Sequence, residues 1–146
     1  MSTIALAPSH PAAAKLRSVA YWGATTLTAL AFVAGGIADL TRAPAVAAAM
    51  SHLGYPTYFA SILGAWKLLG ALAIVAPRFP RLKEWAYAGM FFDLTGAALS
   101  HAAAGDPASN VFVPLVILGL AALSWALRTP SSGRVASREA WPVAAS

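Results

Sequence analysis

Four stretches of about twenty residues, each with at most two charges, dominate this chain. Residues 18–38 carry no charge; 57–77 carry only Lys67; 84–104 carry Glu84 and Asp93; 107–127 carry none. A helix needs about 20 apolar residues to cross the hydrocarbon core of a bilayer. Only helices and closed barrels can satisfy every backbone polar group in lipid. Apolar runs this long predict an all-α protein. Composition agrees: of 146 residues 59% are hydrophobic and 10% charged, where a soluble domain carries about 25% charge. A chain this small has too much surface to cover with so few charges in water.

The connections are short. Residues 43–56, "APAVAAAMSHLGYP", are too few and too mixed to span, and read as a loop with room for a short interfacial helix. Gly54 suits a helix C-terminus and Pro56 the first turn of the next helix. "PRFPRLKEW" and "GDPASN" are turn signals. The "AVAAAM" stretch resembles a signal-peptidase site. However, the preceding run is long for a signal peptide, and Asp39 and Arg42 intervene, so the run is read as a retained span. The expected organisation is a flexible N-terminal tail (1–17), a four-helix transmembrane domain (18–128) and a disordered C-terminal tail (129–146). Short links make neighbouring helices antiparallel, which predicts an up-down-up-down bundle.

The basic residues set the orientation. Lys15, Arg17, Arg78, Arg81, Lys83, Arg128, Arg134 and Arg138 flank the spans on one side; Arg42 stands alone on the other. The positive-inside rule places both termini in the cytoplasm. A net charge of +5 distributed in this way is topology, and nucleic acid is not an expected partner. No cysteine is present, which excludes thiol redox chemistry and thiolate-bound metal clusters on this chain.

Lys67 lies ten residues before Pro77, about 15 Å into the slab; Asp93 lies nine residues past Glu84, about 13.5 Å in. Matching depth on consecutive antiparallel spans predicts that the two face each other. A lone charge there costs at least about 2.5–3.5 kcal/mol. Small or polar stripes support the facing: Ser61, Gly64, Lys67 and Ala71 on the second span, and Gly89, Asp93, Gly96 and Ser100 on the third. Thr25, Thr28, Phe32, Gly35 and Asp39 make a similar stripe on the first. Three such stripes can converge on one interior cavity. The pair is then either a strut that fixes helix register or part of a ligand, proton or substrate site.

A second polar group is expected at the outer face, where Asp39, His52, His101 and Asp106 fall near helix ends. Without diagnostic ligand spacing it reads as helix capping or proton exchange, not as a metal centre. Glu84 opens the third span, where a carboxylate favours the helix dipole and Arg81 is three residues back. Trp22, Tyr55, Tyr58, Trp85, Tyr87 and Trp125 read as an interfacial aromatic belt. Trp66, beside Lys67, is the exception at mid-depth, placed either to face lipid or to pack on a ring-bearing ligand. No nucleotide-binding or hydrolase motif is present.

The elements "LGYP", "ILGAWKLLGA", "RLKEWAYAG", "DLTGAALSH" with "GD" beyond it, and "GGIADL" together resemble the DoxX-like family of small four-helix bacterial membrane proteins. The resemblance covers roughly residues 20–128. It implies a multi-pass protein of the bacterial cytoplasmic (inner) membrane. It also implies recurrent polar positions matching Asp39, Lys67, Glu84, Asp93, His101 and Asp106, and a relation to quinone-linked redox systems. The leading expectation is a pocket for a lipophilic small molecule, with quinone the suspected cofactor. Lys67, Asp93 and His101 would carry the chemistry, and Lys67, Asp93, Trp66, Asp39 and Glu84 would contact the ligand. Such a chain would serve as the membrane subunit of a redox system with a soluble partner, and its small-residue faces permit a homodimer. Two other readings stay open. One is a membrane isomerase or cyclase using Asp93 or Glu84 as acid–base. The other is a non-enzymatic scaffold working through the basic rim of Arg78, Arg81 and Lys83.

Overall fold

The structure, a computed structural model, describes residues 11–128. The tail expected at 129–146 and the first ten residues of the tail expected at 1–17 lie outside that range. Five helices follow one another: α1 (Pro11–Leu40), α2 (Pro44–His52), α3 (Thr57–Val75), α4 (Pro80–Ala103) and α5 (Ala108–Leu127). Among the described residues there is no strand. α1 starts seven residues before the expected span, so Lys15 and Arg17 ride on its first turns instead of preceding it. "PAAAKLR" explains this, because proline suits a first helical turn and Ala, Lys, Leu and Arg are strong helix formers.

Three helix ends close in the same way. Tyr55 N–H bonds Met50 C=O and Gly54 N–H bonds Ser51 C=O at the end of α2; Asp106 N–H bonds His101 C=O and Gly105 N–H bonds Ala102 C=O at the end of α4. Each is a paired C-terminal closure that needs a left-handed residue, supplied by Gly54 at φ 76° and Gly105 at φ 74°. α1 closes identically, with Ala43 N–H on Ala38 C=O, but the left-handed residue there is Arg42 at φ 50°.

α1, α3 and α5 are long and apolar enough to cross a membrane. α4 is not among them. It holds the third expected span, but also carries Arg81, Lys83, Glu84 and Asp93. α1 packs against α3 and α5, α4 packs against α3 and α5, and α2 lies on α3. The shared core is small: Phe32, Ala71, Ile74, Tyr87, Met90, Leu94 and Ala121. Large apolar side chains on every long helix, such as Leu30, Leu72, Phe92 and Val116, are exposed. An alanine-rich interior under an apolar exterior inverts the arrangement of a soluble protein.

α1 and α3 approach each other closely at a pair of glycines. A Cβ on Gly64 would meet Gly36 O at 2.7 Å and Leu40 N at 2.9 Å, and one on Gly36 would meet Gly64 O at 3.0 Å. Only glycine fits such backbone contact.

Candidate functional site

This crossing positions the buried charges. Gly35 leaves room for the stem of Lys67: a Cβ at Gly35 would sit 3.8 Å from Lys67 Cδ. The ammonium reaches past it and donates to Asp39 Oδ2 at 2.8 Å. Asp93 Oδ2 lies 3.9 Å from Lys67 Nζ, within ion-pair range but without a hydrogen bond. The expected facing of Lys67 and Asp93 is therefore present, but Lys67's nearer partner is Asp39. Asp39, expected both on the inward stripe of the first span and with the outer histidines, takes the first place, with its side chain 8% exposed.

The expected inward stripes hold on α1, where Thr25, Thr28, Phe32 and Asp39 are buried, and on α3, where Gly64 and Ala71 are. On α4 the stripe is different. Tyr87, Met90, Leu94 and Ala98 are buried, while Gly89 and Gly96 are exposed. The core needs the volume of the larger apolar side chains, and α4 turns them inward. This rotation brings Asp93 to the edge of the core, so the space beside it is not an interior cavity but a cleft of about 500 Å³ between α3 and α4. Lys67, Asp93 and Phe32 line it together with Trp66, Trp85 and Phe92. Those last three are 68%, 80% and 72% exposed, so the cleft opens sideways from the helix bundle. Trp85 and Phe92 were not singled out as ligand contacts by the sequence. Their signal would have been their spacing, Trp85 eight residues or about two turns before Asp93 and Phe92 one residue before it.

Glu84 is elsewhere. It accepts from Trp125 Nε1–H at 2.9 Å and is ion-paired with Arg128. It lines a second, smaller cleft of about 290 Å³ between α4 and α5, nine residues and about 13.5 Å along α4 from Asp93. It does not meet Lys67, and its partners are Trp125 of α5 and Arg128 just past the end of α5, not Arg81. Tyr87, expected in the interfacial belt, is buried, and its hydroxyl bonds Ser124 Oγ at 2.7 Å. Ser124 Oγ in turn meets Thr25 Oγ1 at 2.6 Å, and Thr25 donates to Tyr21 C=O at 2.7 Å. Because Thr25's single hydrogen goes to a carbonyl, the chain has one direction: Tyr87 donates to Ser124, and Ser124 to Thr25. It ties α4, α5 and α1 together, and sequence reading missed it.

At the other end, His52 Nε2 meets Asp106 Oδ1 at 2.7 Å and His101 Nδ1 meets Oδ2 at 2.5 Å. The α4 closure explains half of this, since Asp106 is folded back over His101 by the left-handed Gly105. Hydrogen bonds from His101 and then His52 hold the Asp106 carboxyl below the usual carboxylate range. Each imidazole takes a different oxygen of Asp106, so the three groups do not converge on a point where an ion would sit. Tyr55 OH meets Ser100 Oγ at 2.9 Å beside them. His101 is eight residues, about 12 Å, along α4 from Asp93 and has no contact with Lys67.

The sequence model of the DoxX-like family matches residues 23–124. No curated protein matches the chain, and no solved structure does.

Proposed function

The chain belongs to the DoxX-like family, and from that premise we propose that its α3/α4 cleft binds a lipophilic small molecule from the bilayer, quinone first among the candidates. The carrying observation is the cleft itself. It is walled by Trp66, Trp85 and Phe92, opens sideways, and holds the Lys67 ammonium and the Asp93 carboxyl. Aromatic faces suit a ring, and the ammonium donates to a carbonyl oxygen on that ring. A ligand of this kind needs no aqueous entry, because the opening faces the medium that dissolves it.

The protein is read as a multi-pass component of the bacterial cytoplasmic membrane with α4 as a fourth crossing. α3 and α4 are separated by only four residues, and Lys67 meets Asp93 well along both helices. If α3 crosses, α4 returns beside it. Glu84 at the start of α4 meets Arg128 just past the end of α5, and Arg17 near the start of α1 reaches Leu127 C=O at 3.3 Å. These contacts support an up-down-up-down bundle with its basic ends together and, by charge, cytoplasmic. The basic rim of Arg78, Arg81 and Lys83 would then meet a soluble redox partner, for which this chain is the membrane subunit. His101 and Asp106 would exchange protons with the outer face. A second copy could pack on the exposed apolar helices without occupying the cleft.

Purification in mild detergent, solvent extraction and mass spectrometry test the reading. A quinone should come with the wild type, be lost from Lys67→Ala and be partly kept in Lys67→Arg. Equal extracts from wild type and Lys67→Ala would defeat it. Asp93, which makes no hydrogen bond among the described residues, also favours a second reading: acid–base isomerisation or cyclisation of a lipophilic substrate. Turnover without any redox partner would select it.

A further inference from the structure

The cleft holds an unequal number of charges. Asp39 and Asp93 are two carboxyl groups, and among the described residues Lys67 is the one cation within ion-pair distance of either. Among the described residues the charged groups facing Asp93 are Lys67 from α3 and, behind it, Asp39 from α1; α5 contains no charged residue, and Glu84 on α4 is committed to Arg128. With both carboxyls ionised the site would carry one net negative charge between the end of α1 and the middles of α3 and α4, among mainly apolar side chains. Such a charge is strongly disfavoured in a bilayer.

The geometry decides which carboxyl gives way. Asp39 accepts the ammonium hydrogen at 2.8 Å and its side chain is 8% exposed. Asp93 stands at 3.9 Å, accepts no hydrogen bond from any described residue, is 18% exposed and lines the cleft. We propose that Asp93 is a carboxylic acid at neutral pH, holding an exchangeable proton that it presents to the oxygen of the ligand in the cleft. The site is then a neutral Asp39–Lys67 ion pair beside an acid. Asp39 is the positioning residue for Lys67, and Asp93 faces the ligand with a hydrogen to give. The ligand half of this assignment rests on the reading of the cleft as a lipophile site; the proton half does not.

Infrared spectroscopy of the protein in lipid nanodiscs separates the two halves. A protonated carboxyl has a carbonyl stretch well apart from the carboxylate bands and moves to lower frequency in heavy water. The wild type should show one such band from the membrane core at neutral pH, and it should fade as pH is raised. The band should vanish in Asp93→Asn. It should also vanish in Asp39→Asn, although Asp93 is still present, because one ammonium then faces one carboxylate and the charges balance. The titration of the wild type gives the answer even if a variant fails to fold. Absence of the band at neutral pH, or its survival in Asp93→Asn, would overturn the assignment. Decylubiquinone serves as the probe for the other half. A shift of the band on its addition supports both halves. A band that titrates but ignores decylubiquinone supports the proton on Asp93 and sinks the quinone reading alone.

Discussion

The tightest steric statement in the molecule is the contact of Gly64 with α1, and it yields the sharpest prediction. In Gly64→Ala the new methyl would stand 2.7 Å from Gly36 O and 2.9 Å from Leu40 N. Both are backbone atoms, so no side-chain rotation relieves the clash. Ordinary contact begins at 3.4 Å, and the two helices must part by about 0.7 Å to reach it. Overpacking of this kind costs about 1–3 kcal/mol. Alanine regains up to about 1 kcal/mol of helix propensity over glycine. With the full propensity gain, the net expectation is a loss of about 0–2 kcal/mol. Gly96 and Gly119 are internal controls, since a Cβ at either meets nothing within 4 Å. Gly96→Ala and Gly119→Ala keep only the propensity term and should be neutral or stabilised by up to about 1 kcal/mol. Unfolding by SDS in mixed micelles, followed by tryptophan fluorescence, reads all three against wild type. A Gly64→Ala midpoint at or above that of Gly96→Ala would refute the close α1/α3 crossing.

The remaining predictions use the same comparison or pH. Asp39→Asn should destabilise by about 1.5–3 kcal/mol, because it removes the hydrogen bond that the Lys67 ammonium donates, although Asp93 then balances the charge. Asp93→Asn should change stability by less than about 1 kcal/mol, since that pair survives. Equal losses in the two would contradict the assignment of partners. Ser124→Ala removes both hydrogen bonds of the central hydroxyl and strands that of Tyr87; micelle unfolding should register a loss of about 1–3 kcal/mol. Asp106 gives a pH signature. Its native carboxyl titrates below the unperturbed value of 3.8, so its contribution is whole above that pH and is lost as pH falls through the lowered native value. Melting curves should show the wild type losing its margin over Asp106→Asn only in that acid range; a margin that shrinks instead on raising pH would reverse the sign.

The helices were legible because lipid imposes a coarse rule, about twenty mainly apolar residues with few charges, that survives any detail of packing. Helix ends were legible where glycine marks them, at Gly54 and Gly105. At Arg42 the same closure forms on a residue that gives no such signal. The site was legible as a depth and not as a bonding pattern. Lys67 and Asp93 were matched by counting residues from a common turn, which places Cα atoms. Side chains in a helix lean toward its N-terminus. Lys67 therefore leans toward the Thr57 end of α3, where Asp39 waits, and Asp93 leans toward the Pro80 end of α4. The two backbones are level while the charged groups diverge, which accounts for 2.8 Å to Asp39 and 3.9 Å to Asp93. The α4 stripe failed for another reason: counting small residues ignored that Tyr87, Met90 and Leu94 had to fill the core.

The crossing and the site are therefore one device. Gly36 and Gly64 fix how close α1 lies to α3, and Asp39 sits one turn beyond Gly35, where the Lys67 stem passes. Asp93 is carried by α4, which contacts α3 but owes nothing to the glycine crossing. Moving α1 outward by a fraction of an ångström would stretch the bond to Asp39 and leave the distance to Asp93 as it was. The lysine would turn toward Asp93, and the proton there would be displaced. On this argument Gly64→Ala should weaken the protonated-carboxyl band as well as the fold, although the residue touches neither the cleft nor a carboxylate. Overpacking with no change in that band would mean that the choice between the two aspartates is set within α3 and α4, and that α1 contributes stability alone.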